Sequence, residues 1–193
     1  MTNEQQSFFS VPCDFLLLAD PLQPSQRLMD KDALLAMMPK AFRLMAQVND
    51  VEQRCLPLMN SLAQHAAELA EYLSLQNKKI DLVLQMQLAQ SSDARYRCDG
   101  VRFGGSGLVV RHASAIEIGS IVETRVLLLE QSVAIYAIAE VTDCQVDDDQ
   151  FLWTLDFTSI MDADQEQLVH ASLQVEQRQL RARAQARRQS DAS

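Results

Sequence analysis

Residues Leu56 to Leu88 read LPLMNSLAQHAAELAEYLSLQNKKIDLVLQMQL, and the way they fold decides what the rest of the chain has to do. Met59, Leu62, Ala66, Leu69, Leu73, Gln76, Ile80 and Val83 follow one another at alternating steps of three and four residues. That is the a/d rhythm of a helix whose apolar seam meets another helix. No glycine or proline interrupts the stretch after Pro57, so the spacing predicts one helix of about seven turns, on the order of 40 Å. A single helix of that length cannot bury its own seam. Either it lies on the remainder of the chain, or it is a coiled-coil or bundle element between subunits. Leu75, Leu82, Leu84, Met86 and Leu88 widen the apolar surface beyond one narrow seam and favour the second reading. Gln76, polar at a d position, would fix the register between partner helices at some cost in stability.

Upstream of this stretch, residues 28–55 continue the helical character. Asp30 is placed to cap a helix from Lys31 that carries Leu34, Leu35, Met37 and Met38. Pro39 begins or kinks the next segment, with Phe42, Leu44 and Met45 as its apolar face. Asn49 and Asp50 suggest a cap for a further helix from Val51. Before that, residues 7–19 read as a strand in which Pro12 marks an edge or a bulge. Residues 20–27, DPLQPSQR, read as a turn.

Downstream, the helical period ends at Gln90. Residues 94–103 alternate through Tyr96, Cys98, Val101 and Phe103 and run into GGSG at 104–107. Residues 108–110, 120–129, 133–144 and 151–157 are β-branched, aromatic and of strand length, with turn residues between them. Four or five short strands in about 65 residues indicate a small antiparallel barrel or sandwich. Asp162 then opens a final helix, and from Arg178 the chain turns basic, QRQLRARAQARR. A lone strand at 7–19 is not stable and needs the sheet beyond residue 94. The expected organisation is therefore one interrupted β domain (1–27 with 91–172), a helical insertion (28–90) for oligomerisation, and a basic helix end with a frayed tail (173–193).

The totals narrow the function. The chain has 193 residues, 48% of them hydrophobic, and a net charge of −9. An acidic surface repels nucleic acid and anionic lipid, so neither is an expected partner. Cys13, Cys55, Cys98 and Cys144 lie far apart in sequence, and the three histidines have no ligand spacing. No metal site and no disulfide framework is expected. Reduced thiols, no charged leader at MTNEQQ and no apolar run of membrane length point to a cytoplasmic protein without membrane insertion. Ser106 stands in G-G-S-G ahead of a strand, which is not a nucleophile elbow. No catalytic residue is assigned. Asp147, Asp148 and Asp149 lack the spacing of a calcium loop and read as a hairpin turn. Gly104, Gly105, Ser106 and Gly107, with Arg102 and Arg111 nearby, fit two readings: a strand turn needing positive φ, or a backbone cradle for an anion. The arginine tail is either a helix end whose cations suit the C-terminal dipole or a docking patch for an acidic partner.

The order of elements resembles the PilZ family, and more narrowly its atypical, tetramer-forming branch with helices inserted into the barrel. YLSLQNKKID (72–81), the run from GGSGL to WTLDF, and DADQEQL (162–168) carry the likeness. The resemblance implies an α+β fold: an antiparallel β-barrel with a heptad insertion after its first strand and a C-terminal helix. It implies a homotetramer, a non-enzymatic role in bacterial cyclic di-GMP signalling, and an unidentified protein partner. The family's ligand motif is R-x-x-x-R on the N-terminal segment with D-x-S-x-x-G on the strand turn. The two arginine positions fall here on Gln6 and Ser10, the aspartate on Arg102 and the serine on Gly104, and only Gly107 matches. Paired guanidiniums hold phosphate bidentately. Their loss implies weak or absent nucleotide binding and an adaptor or scaffold role. The alternative is a receptor that uses the GGSG turn and nearby arginines in a non-standard site.

Overall fold

In the computed structural model, which describes residues 10–65, 67–90 and 93–190, six antiparallel strands close into a barrel. They are β1 (Val11–Leu22), β2 (Tyr96–Phe103), β3 (Gly107–His112), β4 (Ile121–Leu128), β5 (Val133–Asp147) and β6 (Gln150–Ile160). Around the barrel the order is β1-β2-β3-β6-β5-β4, with β4 returning to β1. Four α-helices accompany them: α1 (Lys31–Met37), α2 (Lys40–His65), α3 (Ala67–Gln90) and α4 (Asp162–Ser190).

The barrel interior is filled from every strand. Leu17, Cys98, Phe103, Leu108, Val126, Ile135, Trp153 and Leu155 are fully buried there. Alternation explains the selection, since residues two apart on a strand share a face. β5 is the exception. Its residues 134–139 are all buried, because its outer face is covered as well. There Ala134, Tyr136 and Ile138 meet Leu34 and Met38 at the end of α1 and Phe42 and Met45 at the start of α2. Phe42 and Tyr136 pack ring to ring at 6.2 Å. Asp30 caps α1 as its position suggests, accepting the Ala33 amide at 2.7 Å. Ser159 clamps the approach to α1, accepting from the Met29 amide and donating to the Met29 carbonyl.

The turn expected at residues 20–27 starts late, because Pro21 and Leu22 still pair with Val122 and Ile121. Pro12 does lie beside an irregularity in the β1–β2 register. No helix begins at Val51. α2 runs through Asn49, Asp50 and Pro57 without a break.

The larger correction concerns the opening stretch. One uninterrupted helix was expected from Leu56 to Leu88, but the described residues form two helices, α2 ending at His65 and α3 starting at Ala67. The physical reason is closure. α2 starts on the barrel at Phe42, and its 26 residues carry the chain about 39 Å away. The chain must be back by Arg95, whose amide donates to Asp20 of β1, and by Tyr96, which pairs with Ala19. α3, with 24 residues, is the matching return. A straight helix would have left β2 with nothing to pair with. The exit and the re-entry are tied through Asp20, which also pairs with Arg125 of β4, while Glu123 accepts from the Tyr136 hydroxyl.

Candidate functional site

α4 lies across one end of the barrel. Leu168, Ala171 and Val175 plug the interior, Gln165 donates to the Gly105 carbonyl at 3.0 Å, and Gln179 donates to the Pro12 carbonyl at 2.8 Å. The glycine turn between β2 and β3 is therefore pressed beneath a helix. Gly105 and Gly107 are crowded by close neighbours and do not take positive φ. Among the described glycines only Gly119 has a positive φ, so the positive-φ reading of 104–107 is replaced by one of close approach. A Cβ on Gly105 would stand 2.5 Å from Val169 Cγ2. On Gly107 it would stand 2.4 Å from the Leu155 carbonyl oxygen. The Gly104 amide is spent inside the turn, on the Gly107 carbonyl, and the Ser106 carbonyl accepts from Phe157.

The two arginines sit on the outer face of the β2–β3 hairpin. Arg102 pairs across the ladder with Val109, and Arg111 lies two residues further along β3. Each has its own partner. Arg102 donates from Nε to Ser10 Oγ (3.1 Å) and from Nη2 to the Ser10 carbonyl (2.8 Å). Arg111 donates from Nε and Nη2 to a single oxygen of Asp147, at 3.0 and 2.7 Å. The guanidiniums thus point to opposite ends of the hairpin and do not converge on the turn. Neither partner was legible in sequence: Ser10 lies 92 residues and Asp147 36 residues from its arginine.

The seam residues are also separated. Met59 and Leu62 belong to α2, and Leu69, Leu73, Gln76, Ile80 and Val83 to α3. Ala66 and the side chains of Met59 and Leu62 lie outside the described residues. On α3, Leu69, Ile80 and Val83 are about half exposed or more, Leu73 is exposed, and Gln76 is partly buried. Leu75, Leu82 and Met86 are exposed too, and so is Tyr72, which the heptad reading passed over because it falls outside the a/d steps. Leu58, Val51 and Leu44 continue the exposed apolar surface on α2. Within one chain these described apolar side chains are left largely uncovered.

Chemistry finds little purchase elsewhere. Burial pushes the Cys98 thiol up to about 12, and burial with nearby Glu130 and Asp14 raises that of Cys13. These are inert thiols, the reverse of a nucleophile. Burial, then Glu140, raises the Asp156 carboxyl on the outer face of β6. His112 packs against Tyr96 and Trp153 at the barrel end away from α4, and its Nδ1 takes the Ser114 amide at 3.0 Å. No group of three His, Cys, Asp or Glu side chains suited to a metal occurs among the described residues. A groove of about 430 Å³ runs along α4, lined by Gln174, Gln177, Arg178, Arg181, Ala182 and Gln185, and none of the turn residues contributes to it. No described helix is long and apolar enough to cross a membrane.

No protein-family model matches the chain, and no curated protein sequence matches it. Among solved structures, the chain is similar to a pathogenic protein from Xanthomonas campestris described as a tetrameric PilZ domain self-assembled via an unusual helical bundle. Identity is 14% and the TM-score 0.47, over 91% of this chain and 90% of that one. It is also similar to the inhibitor of motility MotI/DgrA of Bacillus subtilis, at 22% identity and a TM-score of 0.40, over 45% of this chain and 43% of that one.

Proposed function

We propose that this chain is a non-enzymatic, PilZ-like protein of bacterial cyclic di-GMP signalling that assembles through its helical pair and serves as an adaptor or scaffold. The observation that carries the reading is the apolar surface of α2 and α3, exposed at Leu58, Leu69, Tyr72, Leu75, Ile80, Leu82, Val83 and Met86. A monomer rarely leaves so many large apolar side chains of one helical pair in water, and copies of the same helices are their simplest cover. Four subunits are the expected number.

Nucleotide binding is weak or absent in this reading. A cyclic dinucleotide is a dianion, and holding it takes guanidiniums that converge. Arg102 and Arg111 are engaged apart, and the turn between their strands is packed under α4. A second reading, a receptor with a non-standard site, has one observation in its favour. Arg102 touches Ser10, the position at which the family motif carries an arginine, so one guanidinium does stand at that place.

Two measurements test the proposal. Light scattering at micromolar concentration should give a multiple of the 21.7 kDa chain, and a monomer mass would end it. Titration calorimetry with cyclic di-GMP should give no saturable heat in the micromolar range, whereas tight saturable binding would establish the receptor reading.

A further inference from the structure

We propose that the last turns of α4 form an arm that docks, charge against charge, on the β5–β6 turn of a second copy of this chain. The helix is anchored to the barrel from Leu168 to Gln179. Among the described side chains Val175 is the last that is buried, and Arg178 with Glu130 and Gln179 with the Pro12 carbonyl tie the helix to the barrel end. Beyond these, residues 180–185 and 187 are exposed along about three further turns. Alanine, arginine and glutamine are strong helix formers, so propensity favours the helical shape of the arm. It carries Arg181 and Arg183 with Leu180, an apolar residue left 55% exposed.

The chain supplies the matching surface itself. Residues 174–193 hold five arginines against Glu176 and Asp191, a net +3, so the total of −9 leaves −12 on residues 1–173. The acids gather at the β5–β6 turn, where Asp148 and Asp149 are exposed beside Asp147. Arg111 neutralises only Asp147. Val146, next to them, is 74% exposed, the apolar counterpart to Leu180. Both patches therefore pair cations or anions with one bare aliphatic side chain.

An arm cannot reach its own turn. α4 crosses the barrel end formed by the glycine turn, the start of β1 and the β4–β5 connection. The β5–β6 turn lies at the other end, on the order of 40 Å away along the fifteen residues of β5. The contact is accordingly between copies and head to tail, independent of the cover proposed for α2 and α3. A polyanion such as nucleic acid would meet the arm but also the −12 body, which repels it.

Charge reversal of each side tests this by sedimentation in about 20 mM and about 300 mM salt. Arg181→Glu with Arg183→Glu should lose the salt-sensitive part of association, and so should Asp148→Lys with Asp149→Lys. Each loss should be roughly a tenfold or greater rise in dissociation constant. Mixing the two variants should restore association, because each then offers the other an opposite charge. Retention of wild-type, salt-sensitive association by the arm variant overturns the proposal. So does a turn variant that associates normally, since the arm then docks elsewhere, and so does an arm-dependent RNA peak in the purified protein. Loss of the α2–α3 assembly alone, with the salt-sensitive step intact, would fail the functional proposal and leave this one standing.

Discussion

The barrel and the helical pair treat the same kind of residue in opposite ways. In the barrel, the apolar residues of β5 find cover on both faces, from the barrel interior and from α1 with the first turns of α2. On α3, leucines of equal size stand half in water. Composition does not separate the two regions. What separates them is the number of neighbours the topology provides: closure gives every strand two partners, whereas a pair of helices has two flanks and only one internal contact. That uncovered apolar surface is what the proposed assembly would bury.

The largest effect expected is on assembly. Leu69→Glu with Leu73→Glu should disperse the proposed oligomer to a 21.7 kDa species in light scattering, because two carboxylates buried without partners would cost more than the packing they replace. The β-rich circular dichroism and melting of the barrel should persist, since neither residue contributes to its cores. A variant that unfolds entirely would erase the distinction between the regions. The converse substitution is Trp153→Ala, in the middle of the barrel. It should cost about 3–5 kcal/mol, read as a fall in denaturant midpoint.

A smaller effect sharpens how α4 closes the barrel. Gly105→Ala should lower stability by about 1–3 kcal/mol through the clash with Val169, and Val169→Ala should relieve it. No rescue would mean that the helix does not rest on the turn.

The Asp164 carboxyl, buried in the first turn of α4, is pushed by burial up to about 7. Unfolded, it titrates near 3.9. Between those values the folded chain holds a proton that the unfolded chain has lost, so stability falls as pH rises from about 4 to about 7. Asp164→Asn should flatten that slope in melts at about pH 5 and pH 8 and raise stability at the higher pH. The smallest effect concerns the ligand. Gln6→Arg, Ser10→Arg, Arg102→Asp and Gly104→Ser together should create measurable cyclic di-GMP affinity in calorimetry, and no gain would count against the motif alignment.

Element identity was legible wherever the pattern was local. Alternation at 94–103, the β-branched runs from residue 120 to 157, the Asp30 cap and the acidic hairpin turn each depend on residues within a few positions of one another. The candidate site was less legible. GGSG announces a turn, but what crowds Gly105 and Gly107 is Val169 and Leu155, far along the chain. Arg102 and Arg111 are visible as cations, while Ser10 and Asp147 become their partners only after β1, β2, β3 and β5 have closed.

The sequence by itself determined that this chain holds a β unit interrupted by helices with more apolar surface than they can bury alone. Side-chain period and turn chemistry are properties of neighbouring residues. Only the tertiary structure decided that the heptad run is shared between two helices, α2 and α3. Nothing in QHAAEL breaks a helix. The return comes from the barrel, which needs Tyr96 beside Ala19 and so obliges the chain to come back.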